Sequence, residues 1–236
     1  MSQSLIESIN SADVIFMDFD GVIKESVEIK SRAFEDLFVD LGPNFIKKIQ
    51  LHHRDNGGVS RFHKIPLYLS WAQIPNTTEN IQNYCNRFSI IVKQKVIESL
   101  WVPGAIEFIE KYRNNKVIIL VTATPEVEIK EILEKLGIFL YFNKVFGYPV
   151  SKQDAIKSSL KSLSLSSKNA IMIGDSSADY DAAINNNISF LLRKTSLNKF
   201  LQKKCLRGGW KACYIIKNLG HDNLSDSFLN IPSKTL

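Results

Sequence analysis

The sequence predicts an α/β fold, a doubly wound parallel sheet of Rossmann-like form interrupted by an inserted all-helical unit. Near-continuous apolar runs recur along the chain, as expected of parallel strands covered on both faces. Helical periodicities alternate with most of them. That alternation lapses once, between about residues 26 and 100, where every periodic segment is helical.

The first strand is DVIFMD, residues 13 to 18, an apolar run that drives into two carboxylates, Asp18 and Asp20. SVEIKSRAFEDLFVDLG then predicts one amphipathic helix, and HHRDN at 52 to 56 a polar loop. SRFHKIPLYLSWA predicts a further helix despite Pro66, and TTENIQNYCNRFSIIVKQKVIESL one or two more. A helix over 103 to 113 leads into strand KVIILVT at 116 to 122. After VTATP, Thr124 is expected to cap a helix with Pro125 at its first position, and Gly137 to end it. A strand at 144 to 147, a helix at 151 to 163, and strands NAIMIG at 169 to 174 and ISFLL at 188 to 192 complete the pattern. The expected division is a core domain of residues 1 to 25 and 101 to 236, with a helical cap domain of residues 26 to 100.

A chain of 236 residues suffices for a core domain with a smaller insertion, and 44% hydrophobic with 23% charged residues is ordinary globular usage. No apolar run approaches the ~18 residues of a membrane span. The opening MSQSLIESIN lacks the basic-then-apolar layout of a secretory signal, so a cytoplasmic location is expected. Cys85, Cys205 and Cys213 are odd in number and have no metal-ligand spacing, which predicts reduced thiols. The net charge of +6 is concentrated at 193, 194, 199, 203, 204, 207, 211 and 217, with no acidic residue between. Such a segment could meet a polyanion, or could be a solvated surface that draws in small anions. No nucleic-acid motif accompanies it, so a small phosphorylated metabolite is the expected partner and nucleic acid is not.

In an open parallel sheet, ligands bind beyond the carboxyl ends of the strands. Here those ends carry Asp18, Asp20 and Gly21, then Thr122, then Gly174 and Asp175. A lone carboxylate after a strand is commonly a helix cap or a turn former. Capping does not require DFDG, VTAT and GDSSAD at successive strand ends, so the three together point to one joint site.

These residues resemble the haloacid dehalogenase-like hydrolase superfamily over about residues 12 to 195. DFDGV matches its first motif, Thr122 in VTATP its second, Lys152 in PVSKQDAI its third, with Lys157 and Lys161 nearby, and GDSSAD with Asp175 and Asp179 its fourth. The all-helical insertion just after the first motif resembles a type-1 cap, as in members like β-phosphoglucomutase and phosphoglycolate phosphatase. GGVSRF at 57 to 62 is similar to a cap segment whose arginine contacts a distal anionic group, which makes Arg61 and Gly58 candidate substrate contacts. The alternative is a glycine loop before a helix, with Ser60 as cap and Arg61 on the solvent face. His53 and Asn56 in HHRDN are further candidates for a hydroxylated substrate.

The chemistry such a family performs fits these residue types. Asp18 is the expected nucleophile, since an aspartyl-phosphate splits a slow phosphate-ester hydrolysis into two easier steps. Asp20, kept partly protonated by neighbouring negative charge, would protonate the leaving alkoxide and then activate water. Mg²⁺ would relieve repulsion between nucleophile and phosphate, held by Asp18, Asp175 and the backbone carbonyl the resemblance assigns to Asp20. Asp179 would ligate that metal or orient Lys152. Lys152 would offset phosphoryl charge, and Thr122 with the Ala123 N–H would donate to phosphoryl oxygens.

Asp20 itself implies a phosphatase or phosphomutase, because dehalogenases and phosphonate hydrolases of this superfamily typically lack that second aspartate. Where the mutases carry a histidine twelve residues after the nucleophile, this chain has Lys30, which favours hydrolysis. The surrounding sequence looks like phosphatases of bacterial surface-polysaccharide and nucleotide-sugar pathways, implying a sugar, sugar-acid or polyol phosphate. A phosphomutase, a nucleic-acid end phosphatase and a noncatalytic phosphate-binding protein are the alternatives.

Overall fold

The computed structural model describes residues 4–207 and 213–220; Lys211 and the terminal SDSFLNIPSKTL lie outside them. Six strands form one parallel sheet: β1 (Val14–Met17), β2 (Val117–Pro125), β3 (Lys144–Tyr148), β4 (Ala170–Gly174), β5 (Ser189–Arg193) and β6 (Cys213–Ile216), in the order β3-β2-β1-β4-β5-β6. Strand β1 is central. From it the chain winds outward through β2 to β3, then returns to β1's other side at β4, so the topological switch lies at the end of β1.

The apolar runs are continuous because both faces of the sheet are covered. Ile15 and Met17 pack with Leu5 and Ile9 of α1 (Leu5–Ser11), Ile109 of α6 (Ala105–Tyr112) and Ile132 of α7 (Glu126–Lys135). Val14 and Phe16 point the other way, into a cluster with Ile156 of α8 (Lys152–Ser162), Ala183 of α9 (Ser177–Asn185) and Leu201 of α10 (Lys199–Arg207). Burying one such side chain contributes roughly 1.5–3 kcal/mol.

Between β1 and α6 lie four α-helices, α2 (Val27–Leu37), α3 (Pro43–Asp55), α4 (Arg61–Trp71) and α5 (Thr78–Glu98). An aromatic seam joins them: Phe34 lies 4.4 Å from Phe88, and Phe38 stacks on Tyr84 at 5.1 Å. The segment expected as a polar loop is instead helical. His52, His53 and Arg54 occupy the last turn of α3, and Asn56 is its C-terminal cap. Its periodicity is faint because Ile49 is its one buried residue, while Gly42 and Pro43 give it a start signal. The sequence left one or two helices open at the end of the insertion; α5 is a single 21-residue helix.

Three further differences have local causes. Strand β2 runs on to Pro125, so Thr124 does not cap α7, and its hydroxyl turns toward Lys30 and Asp20. Helix α1 and strand β6 were not expected, although Ser4 and Glu7 form a capping box that the sequence spells out. Cys205 and Cys213, eight residues apart in sequence, meet in a thiol hydrogen bond, and all three cysteines are free. No helix among the described residues is long and apolar enough to cross a membrane.

Candidate active site

The end of β1 delivers Asp18 into a buried group of carboxylates. One oxygen each of Asp18, Asp175 and Asp179 lie within 4.8 Å of one another. Lys152, at the start of α8, threads between two of them, 2.8 Å from Asp18 Oδ2 and 2.6 Å from Asp179 Oδ1. Asp18 Oδ1 accepts the Phe19 N–H at 2.8 Å. Asp179 is fully enclosed, with its other oxygen accepting from Ser176 N–H at 3.1 Å and Ser176 Oγ at 2.5 Å. Gly21 lets the chain leave β1 at a positive φ of 74°, and a Cβ there would lie 2.2 Å from Asp175 Oδ2.

This cluster holds more negative charge than Lys152 offsets. Burial, then the Asp179 charge, pushes the Asp18 carboxyl up to about 7 against the pull of Lys152. Burial and the Asp18 and Asp179 charges hold Asp175 well above the carboxylate range. Burial alone would lower Lys152, but Asp179 and Asp18 outweigh it and keep the ammonium above the ordinary lysine value. A hard divalent cation with oxygen preference fits this donor set, since it would supply the missing positive charge.

Asp20 faces a different environment. Its carboxylate accepts from Ser26 Oγ at 2.6 Å, from Lys30 Nζ, and from Thr124 Oγ1 at 3.4 Å. Lys30 also donates to Thr124 Oγ1 at 2.7 Å. The sequence predicts that neighbouring negative charge keeps Asp20 partly protonated; instead α2 places the Lys30 ammonium on this aspartate, ten residues on in sequence. Residues 24 to 26 anchor the turn that follows. Lys24 donates to the Ile97 carbonyl at 3.0 Å over the Trp101 ring, Glu25 takes a two-pronged ion pair from Arg193, and Ser26 holds Asp20. Arg193 and Lys204, in the basic segment, are already paired, the latter with Asp181 at 3.3 Å.

Thr122 is buried within β2, three residues before its end, its Oγ1 accepting the Thr124 N–H at 3.2 Å, and Ala123 follows it at the edge of the same cavity. That cavity, about 540 Å³, lies between the strand ends and helices α2 to α5. Asp18, Asp20, Lys152 and Asp175 line its sheet side, and His53, Gly58 and Arg61 its helical side. Asn56 does not line it, because its amide is spent on the His52 carbonyl at 2.8 Å.

Ser60 does cap α4, accepting from Phe62 N–H at 3.4 Å, yet Arg61 is not on a solvent face. Its Nη2 lies 2.5 Å from Glu128 Oε2, both side chains 7% exposed. Gly58, at φ 74°, is pressed onto α9's entry, where a Cβ would meet Ser176 Oγ at 2.3 Å. The sequence reading missed Lys64, Phe34, Phe88 and Asn198 in this cavity. Periodicity marks the aromatics only as core, and Asn198, which donates to the Asp175 carbonyl at 2.8 Å, lies in a loop without a motif.

Comparison with known proteins yields a family model, described as haloacid dehalogenase-like hydrolase, that matches residues 14–192. No curated protein matches in sequence. Among solved structures, a β-phosphoglucomutase from Clostridium difficile is similar at a TM-score of 0.67 and 19% identity, over 91% of this chain and 96% of that one. A predicted phosphatase from Clostridium acetobutylicum aligns at 0.66 and 18%, covering 86% and 93%. A predicted phosphoglycolate phosphatase from Haemophilus somnus aligns at 0.60 and 17%, covering 77% and 85%.

Proposed function

The chain belongs to the haloacid dehalogenase-like hydrolases, and from that premise we propose that it is a Mg²⁺-dependent phosphatase hydrolysing a small organic phosphate monoester through an aspartyl-phosphate on Asp18. The observation that carries this reading is the row Asp18, Lys152, Asp179 with Asp175 beside it, all at the topological switch of the sheet. Residues 26 to 100 act as the cap that closes the site, and the stacking of Phe62 on Tyr148 at 4.6 Å supports this role.

In the first step an Asp18 oxygen forms a bond to phosphorus as the ester P–O bond breaks, and Asp20 gives the departing alkoxide its proton. In the second, Asp20 takes a proton from water, whose oxygen attacks phosphorus and frees Asp18 and inorganic phosphate. Asp20 enters the first step as the acid, having taken a proton from solvent, and in the second Lys30, Ser26 and Thr124 hold it as the carboxylate that receives the proton of water. Lys152 offsets phosphoryl charge, a contact worth roughly 4 kcal/mol for unit charges 4 Å apart at an effective dielectric of ~20. Thr122 Oγ and the Ala123 N–H donate to phosphoryl oxygens. The Asp18 and Asp175 side chains and the Asp20 carbonyl would hold Mg²⁺, which would supply the charge neutralisation that lets a carboxylate approach a phosphate. Asp179 orients Lys152, since both its oxygens are already engaged.

A phosphate-release screen over sugar, sugar-acid and polyol phosphates tests the proposal. Asp18→Asn should abolish turnover, and Asp20→Asn should slow it by about 10²- to 10⁴-fold while phosphoenzyme accumulates. Near-normal rates in Asp18→Asn overturn the assignment. Product that keeps its phosphate, with activation by a bisphosphate, identifies a mutase instead.

A further inference from the structure

The cavity has two ends of opposite sign. Carboxylates and Lys152 occupy the sheet end, while Lys30, His53, Arg61 and Lys64 converge at the helical end. The charges of Lys30 and Arg61 are already spoken for, and His53 carries none. Lys30 is paired with Asp20, and Arg61 with Glu128, whose same oxygen also accepts from Ser89 Oγ. Lys64 differs.

Its side chain is 2% exposed. Its Nζ lies 3.0 Å from His53 Nδ1 and 5.7 Å from the centre of the Phe34 ring. Among the described residues no carboxylate pairs with it. Burial, then the Lys30 charge, pushes this amine down to about 7. Burial, then Lys64 and Lys30, holds His53 well below the usual histidine range, so it meets Lys64 as a neutral acceptor. A buried ammonium with no counter-charge is costly, and the cost disappears once an anion is placed against it.

We propose that Lys64 is the seat for a second anionic group of the ligand, so that the substrate is a phosphate monoester ending in a carboxylate, the sugar-acid class. This rests on the phosphatase reading for the identity of the phosphate end only. A carboxylate fits better than a second phosphate, because one uncompensated cation matches one negative charge. Lys64 acts on binding of that second group and so as a specificity residue.

Two pairs of compounds separate the carboxylate from everything else: phosphoglycerate with glycerol phosphate, and phosphogluconate with glucitol phosphate. Each pair differs in a terminal carboxylate against a terminal hydroxymethyl group. Affinities are measured by calorimetry in the Asp18→Asn background, where no turnover intervenes. In at least one pair the acid should bind about 10- to 100-fold tighter than its polyol. Lys64→Met should collapse that ratio and Lys64→Arg should keep part of it. Equal affinities within both pairs, or a ratio unchanged in Lys64→Met, overturn the proposal. Phosphate release by the unmutated chain is scored separately: tight acid binding without release sinks the reaction and leaves the anion seat standing. Folding of Lys64→Met is checked by its melting curve.

Discussion

Replacing Arg61 by methionine severs a buried ion pair that joins α4 to α7. Arg61 Nη2 and Glu128 Oε2 stand 2.5 Å apart, and Ser89 of α5 donates to the same carboxylate. The pair is incompletely satisfied, since Arg61 Nε and Glu128 Oε1 are buried without partners. Desolvation of both ions therefore offsets most of their attraction, and the intact pair contributes little net stability. Removing one member is a different matter. It leaves a buried charge uncompensated, at a cost of about 3–5 kcal/mol. At ~2–4 °C per kcal/mol for a chain of this size, Arg61→Met should melt about 6 to 20 °C lower. The double variant Arg61→Met, Glu128→Leu should recover most of that loss, because neither charge is left orphaned. Tryptophan fluorescence melts of the three proteins measure this directly. A single variant that melts within about 2 °C of the unmutated chain, or a double variant as unstable as the two singles summed, refutes the reasoning. The first of those results is what a purely ligand-facing Arg61 would give.

Two further outcomes follow from the charges in the cavity. Mg²⁺ should raise the melting temperature by relieving the Asp18, Asp175 and Asp179 cluster, adding about 2.7 kcal/mol at a hundredfold excess over Kd, and Asp175→Asn should lose the effect; an Asp175→Asn protein that still responds fully removes that residue from the metal site. Lys64, which faces Lys30, His53 and Arg61, titrates at about 7 when folded against an ordinary 10.5, so across that window the unfolded chain binds more protons. Stability should accordingly rise with pH, by up to about 1.4 kcal/mol per unit, and Lys64→Met should lack that rise. Denaturant titrations over the window, compared between the two proteins, settle it, and a difference that does not change with pH refutes the burial of an ionisable amine.

Much of the fold was legible because parallel strands buried on both faces leave a strong trace. VIFM, IILV and IMIG could hardly be surface, and each ends where polarity returns abruptly. The short edge strand CYII lacked that trace, since it is half-covered and gains its identity only by pairing with Phe190–Arg193. Helix α3 was hidden for a related reason, carrying one buried residue in thirteen. Of the candidate site, the residues on strand ends were readable from local order, because a strand end and its next residues cannot avoid the sheet's carboxyl edge.

The sequence by itself determined the doubly wound sheet, the helical insertion after β1 and the convergence of Asp18, Asp20, Thr122, Lys152 and Asp175 on one edge. Tertiary structure alone decided who neutralises whom. Lys30 takes Asp20, Arg61 takes Glu128 sixty-seven residues away, and Lys64 is left with a neutral histidine. The physical reason is that local pattern specifies which face of an element is buried, whereas the cost of a buried charge depends on partners that only packing brings within reach.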